Sequence, residues 1–141
     1  MEEDLVIIVP PDHEFAKKTR LKPRDLEGQS IIMHEKGSVH QEIIDELIRK
    51  YNISLSKYIE FSNNEAVKRA VEAGAGIALI SRKVASEEIE SGKLKAVSLC
   101  DDSAKRSFYM ICRNDKIISK PVQCMMDTVN GWAEEHSIAS F

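Results

Sequence analysis

The chain has 141 residues, with 20 Lys plus Arg against 23 Asp plus Glu, a formal net charge of −3. At 43% apolar and 30% charged it is neither disordered nor fibrous, and its length suffices for a core without metal or disulfide staples. That charge balance supplies no broad basic face for phosphates, which argues against autonomous DNA binding, and no apolar run is long enough to span a membrane.

The start, Met1-Glu2-Glu3-Asp4, is the reverse of the basic opening of a signal peptide, so a cytoplasmic location is expected. Leu5–Val9 is a β-type run closed by Pro10-Pro11, which cannot continue a ladder. Polar residues 12–20 lead to a short helical turn around Pro23–Leu26, stopped by Gly28, and Ser30–Met33 is the second strand. Ser38-Val39-His40-Gln41 fits a capping box, and Val39, Ile43, Ile44, Leu47, Ile48 and Tyr51 recur at helical spacing behind it. The helix therefore spans about 39–51, with Asn52 as its stop. Its apolar stripe is wider than one core needs.

Tyr58–Phe61 is a third strand, followed at once by a second capping box at Ser62-Asn63-Asn64-Glu65. Val67, Ala70 and Val71 form the buried face of that helix, Lys68 and Arg69 its solvated exterior, and Gly74 its stop. Gly76–Ile80 is the next strand; Ser81 caps a helix near 83–91 that Gly92 ends. Leu94–Leu99 and Ser107–Cys112 are two more strands. Ser119 and Pro121 open a last helix with Val122, Met125, Met126, Val129 and Ala133 on its apolar face and Trp132 at the border. Short strands alternating with amphipathic helices indicate an α/β domain with a mostly parallel sheet flanked by helices.

An enzyme reading finds little support. His34-Glu35 starts like a zinc-protease motif, but Ser38 stands where the second histidine belongs. No GxSxG elbow gives Ser81 or Ser86 a nucleophile's setting. Gly74-Ala75-Gly76 lacks the third glycine of a dinucleotide fingerprint and runs from helix to strand, the wrong order. Cys100, Cys112 and Cys124 form no CxxC pair and read as reduced, partly buried core thiols, so no metal or cofactor is implied.

The stronger constellation is geometric. If the strands ending at Met33 and Phe61 are parallel neighbours, both following helices open at one carboxyl edge of the sheet, where open α/β sheets bind ligands. Helix-terminal amides, the hydroxyls of Ser38 and Ser62, and a backbone left approachable by Gly37 suit a small carboxylate, sulfate or phosphate.

The run from Phe61 to Ser81, "FSNNEAVKRAVEAGAGIALIS", resembles the effector-binding domain of LysR-type transcriptional regulators. Leu5–Ala16, Leu26–Gly37, Leu94–Leu99 and Arg106–Asp115 resemble further stretches of that family in the same order. The resemblance implies a type 2 periplasmic-binding-protein-like domain, here a truncated two-lobe domain: about 16–100 as the second lobe, with 1–15 and 101–141 as crossing segments and terminal helix of the first. It implies a small-molecule effector, with contacts falling at His34, Gly37, Ser38, Val39, Ser62 and Asn63. It also implies DNA binding through a winged helix-turn-helix that these residues do not include, and self-association through about 39–61. A solute-binding protein shares the lobe architecture and is the alternative; a small enzyme of the same fold is a third.

Overall fold

The computed structural model describes residues 2–101, 105–113 and 118–135. They divide into two compact units, residues 4–105 and residues 1–3 with 106–141.

In the larger unit the strands β1 (Glu2–Val9), β2 (Arg20–Leu21), β3 (Ser30–His34), β4 (Lys57–Phe61), β5 (Ile77–Ser81) and β6 (Lys95–Leu99) lie in the order β2-β6-β1-β5-β3-β4. β3 runs parallel to β4 and β5, and β2 parallel to β6. β1 alone opposes its neighbours, pairing antiparallel with β5 through Leu5↔Ser81 and with β6 through Ile7↔Val97. The expected mostly parallel sheet is thus interrupted at its centre. β1 can sit there because Leu5–Val9 is apolar at every position and is buried on both faces.

The two-residue period of the strands sorts them into two cores. Leu5, Ile7 and Val9 of β1, with Ile31, Met33, Ile77 and Leu79, face the helix α1 (Val39–Tyr51) and Phe15, Leu21 and Leu26. Val6 and Ile8, with Ile32, Ala78 and Ile80, face α2 (Asn64–Glu72) and the neighbourhood of α3 (Ser86–Glu90). The sheet is the middle layer of three.

Sequence spacing locates α1 well: Ser38 caps it, and Asn52 ends it in the left-handed conformation, φ +52°. Its stripe is not surplus, however. Ile43, Ile44 and Leu47 are buried within the chain and Ile48 packs against them, because the face of β3 and β5 that they cover is itself wholly apolar. α3 is shorter than expected, and Ser81 does not cap it. Ser81 is the buried last residue of β5, and its carbonyl accepts the Val84 and Ala85 amides in the turn before the helix.

Lys68 also departs from expectation. It is buried, and its Nζ lies 2.7 Å from Glu88 Oε1 of α3 and 3.1 Å from Glu65 Oε2. Helical spacing puts Lys68 beside Val67 and Val71, and the neighbouring helix supplies the counter-charge that lets an ammonium stay there. Arg69 is exposed, as expected, and pairs with Glu65 and Glu72.

Beyond Ser107 the chain departs again. β7 (Lys105–Ser107) pairs with β1, but 108–113 form no strand, and Tyr109 and Ile111 are 82% and 91% exposed. An alternating sequence forms a ladder only against a partner strand, and none pairs with 108–113 among the described residues. The expected last helix is present as α4 (Lys120–Glu135), with Val122, Met125, Val129 and Trp132 exposed and only Met126 and Ala133 half-buried. All three cysteines are exposed and unbridged, not core thiols: Cys100 follows the end of β6, Cys112 lies in the irregular stretch and Cys124 on α4. Among the described residues no helix is long and apolar enough to cross a membrane.

Candidate functional site

β3 and β4 are parallel neighbours, and the register pairs His34 with Phe61, so the two strands end side by side. From each end a short loop enters a helix. α1 and α2 therefore both open at this edge of the sheet, carrying the positive ends of their dipoles to it.

At the first opening, Ser38 Oγ accepts the Gln41 amide at 3.3 Å. Gln41 does not return to Ser38, as a strict capping box requires; its Oε1 accepts the Gly37 amide at 3.1 Å, one residue earlier. Gly37 has φ +83°, a backbone that L side chains rarely adopt, which turns its amide toward the helix start. Val39 is exposed here as the first helical residue.

At the second opening the cap is Asn63, not Ser62. Asn63 Oδ1 accepts the Ala66 amide at 2.8 Å, and the Asn63 carbonyl accepts the Val67 amide at 3.2 Å. The four-residue capping pattern read one position early. Asn caps as well as Ser does, and helix α2 begins at Asn64, which leaves Ser62 exposed on the loop with its hydroxyl outside the cap. The amides of Asn64 and Glu65 come before the first intrahelical bond of α2, as at any helix start.

His34 closes β3 and is buried, its ring stacked on that of His40 from α1 with centroids 4.4 Å apart and planes inclined by 24°. The two imidazoles, with Gln41, Met33, Ile32, Ile44 and Leu79, line a small pocket between α1 and the sheet. Sequence alone gives no reason for His34 and His40 to meet; the one signal is that His40 lies two residues into a capped helix that follows a strand ending in histidine. His34, Gly37, Ser38, Val39, Ser62 and Asn63 thus all lie on the two strand-to-helix connections at one edge. Among the described residues no group of three or more His, Cys, Asp or Glu is placed to hold a metal.

Charge at this edge is set partly from behind. The ammonium of Lys68, followed by Arg69, holds the Glu65 carboxyl below the ordinary carboxylate range. Lys68 is in turn held above the ordinary lysine range, first by its hydrogen bond to Glu88.

The profile of the LysR substrate binding domain matches residues 1–134. The chain belongs to this family. Among curated relatives, the HTH-type transcriptional regulator CbbR of Rhodospirillum rubrum is 30% identical over 122 residues, which make up 86% of this chain and 40% of the relative. The regulatory domain of CcmR from Synechocystis PCC6803, solved in complex with 2-PG, superposes with a TM-score of 0.85 at 25% identity, covering 96% of this chain and 65% of that one. The effector binding domain of QuiR in complex with shikimate gives a TM-score of 0.78 at 20% identity over 97% of this chain and 64% of that one, a likeness of fold. The fold is of the type 2 periplasmic-binding-protein-like class, as the resemblance implied. The chain spans about 40% of the length of the first curated relatives it matches and about two-thirds of these solved domains.

Proposed function

We propose that this LysR-family chain is the effector-sensing part of a transcriptional regulator, and that it holds a small anionic metabolite at the edge where β3 and β4 end. The observation that carries the reading is the shared opening of α1 and α2 at that edge, which supplies backbone amides, two positive helix ends and the Ser62 hydroxyl together. His34, Gly37, Ser38, Val39, Ser62 and Asn63 are the contacts assigned to the effector. The domain contains no chemical step: the effector is bound and released unchanged, and no cofactor takes part. Support comes from relatives that are transcriptional regulators by name and from neighbouring structures solved with small ligands.

In this reading the second lobe, expected at about 16–100, takes in β1 and runs through residues 4–105 of a two-lobe domain, while 106–141 belong with the first. The regulator works in the cytoplasm, and DNA is read by a part of it outside these residues. Self-association involves the region 39–61. With the α1 stripe buried in the core, support for that surface falls on β4, the edge strand of the sheet among the described residues, whose Tyr58 is exposed.

Titration calorimetry of the chain with a panel of small carboxylates and phosphorylated acids, set against neutral sugars, tests the assignment. Saturable binding confined to the anions is expected, together with amide shifts at 37–39 and 62–64. Binding of neutral ligands alone, or shifts elsewhere, would overturn it.

A further inference from the structure

Glu65 stands in the first turn of α2, two residues after Asn63 at the proposed effector edge, where a carboxylate is drawn toward unsatisfied helix-start amides. Asn63 satisfies only the Ala66 amide with its side chain, so Asn64 and Glu65 present the amides such a carboxylate would seek. Glu65 instead points the other way. Its Oε2 lies 3.1 Å from Lys68 Nζ and its Oε1 accepts from Arg69 Nε at 3.0 Å, both one turn further into the helix.

The two cations are not equal. Arg69 is exposed, and its pairs are screened by water. The Lys68 ammonium is fixed 2.7 Å from Glu88 Oε1 on α3, and only 11% and 9% of these two side chains are exposed, so it cannot follow a carboxylate toward the helix start.

We propose that Lys68 is a positioning residue for the effector site: anchored by Glu88, it draws the Glu65 carboxylate back along α2 and keeps that charge off the amides that open toward the ligand edge. The inference deepens the effector reading and rests on it for its consequence in binding. An anion arriving at this edge meets the helix dipole unopposed instead of competing with the chain's own carboxylate.

The test uses the whole chain and inorganic phosphate as probe. Lys68→Met with Glu88→Met replaces the pair by side chains of similar volume and releases Glu65. Phosphate binding is expected to weaken by about two- to fivefold, the scale of one charge near a helix end. Adding Glu65→Gln to that variant restores the parental affinity. A merely structural Lys68 gives no such rescue. Glu65→Gln alone, a surface change that does not challenge folding, leaves phosphate affinity within error of the parent; a gain equal to that in the released background overturns the proposal. A ligand-free measurement separates this from failure of the site itself. In the parent, the Asn64 amide resonance does not follow Glu65 as it titrates, whereas in the Met/Met variant it does. If it follows equally in both, Lys68 has no positioning role, whatever phosphate does. If the parent binds no phosphate while the amide behaves as stated, the anionic effector reading fails and the positioning of Glu65 stands.

Discussion

Gly76 lies against the carbonyl oxygen of Ser30, so close that a Cβ on Gly76 would run into that oxygen and the carbon behind it. The contact joins the residue before β5 to the first residue of β3, and its obstacle is backbone that is itself held in the sheet. Gly76→Ala is therefore expected to destabilise by about 1–3 kcal/mol, through a forced shift of β5 against β3. Urea unfolding measures this as a lower midpoint at unchanged slope. A midpoint within error of the parent would show that the two strands yield.

The Lys68–Glu88 pair makes stability depend on pH in a defined way. Glu88 is held below its ordinary range, first by the hydrogen bond from Lys68 and against the cost of its own burial. A carboxyl lowered in the folded state contributes stability above its unfolded pKa and loses it as pH falls through the folded value. Lys68 is raised, so its contribution is complete below the unfolded value near 10.5 and is lost as pH rises through the folded one. Unfolding free energies should be flat between these limits for this pair and fall on both sides. Lys68→Met alone leaves a buried carboxylate without its partner and should cost about 3–5 kcal/mol near pH 7. That cost should shrink in acid, as Glu88 protonates. An equal cost at pH 7 and at pH 3 would contradict the assignment.

The same helix shows what could be read from sequence. Apolar periodicity placed α1 and α2 correctly, because the spacing of Ile43, Ile44 and Leu47, or of Val67 and Val71, reports one helix face regardless of partner. Periodicity did not reveal Lys68, since a charge next to such a face is solvated or paired according to what another helix brings, and Glu88 is 20 residues away. β3 and β4 were legible as strands, and their strand–helix alternation suggested the parallel pairing on which the site depends. The antiparallel place of β1 was not legible in the domain pattern, because a fully apolar run fits a central strand in either direction. That His40 would meet His34 was not legible for a related reason. Its stacking on His34 depends on how far the Glu35–Ser38 loop carries α1 back over the sheet, which is a property of tertiary packing.

Accessibility of the cysteines offers a direct check. Cys100, Cys112 and Cys124 are all exposed, against the expectation of partly buried core thiols. A disulfide reagent such as DTNB should therefore titrate three thiols in native buffer, and denaturant should not raise the count. Three equivalents only after unfolding would return these thiols to the interior.

The two helix caps and the neighbouring Ser62 separate structural from ligand roles. Ser38 and Asn63 each accept a first-turn amide, so Ser38→Ala and Asn63→Ala should each cost about 1 kcal/mol. Ser62 is exposed and takes no part in the cap, so Ser62→Ala should alter stability by less than about 0.5 kcal/mol. Binding should order them differently. All three lie at the edge assigned to the effector, and Ser62→Ala removes a hydroxyl whose proposed use there is toward an anion. Paired urea melts and calorimetric titrations with one anionic ligand would show Ser62→Ala neutral in stability yet weaker in affinity. A loss of stability equal to that of Asn63→Ala would move the cap back to Ser62. Unchanged affinity in all three variants would take the effector away from this edge.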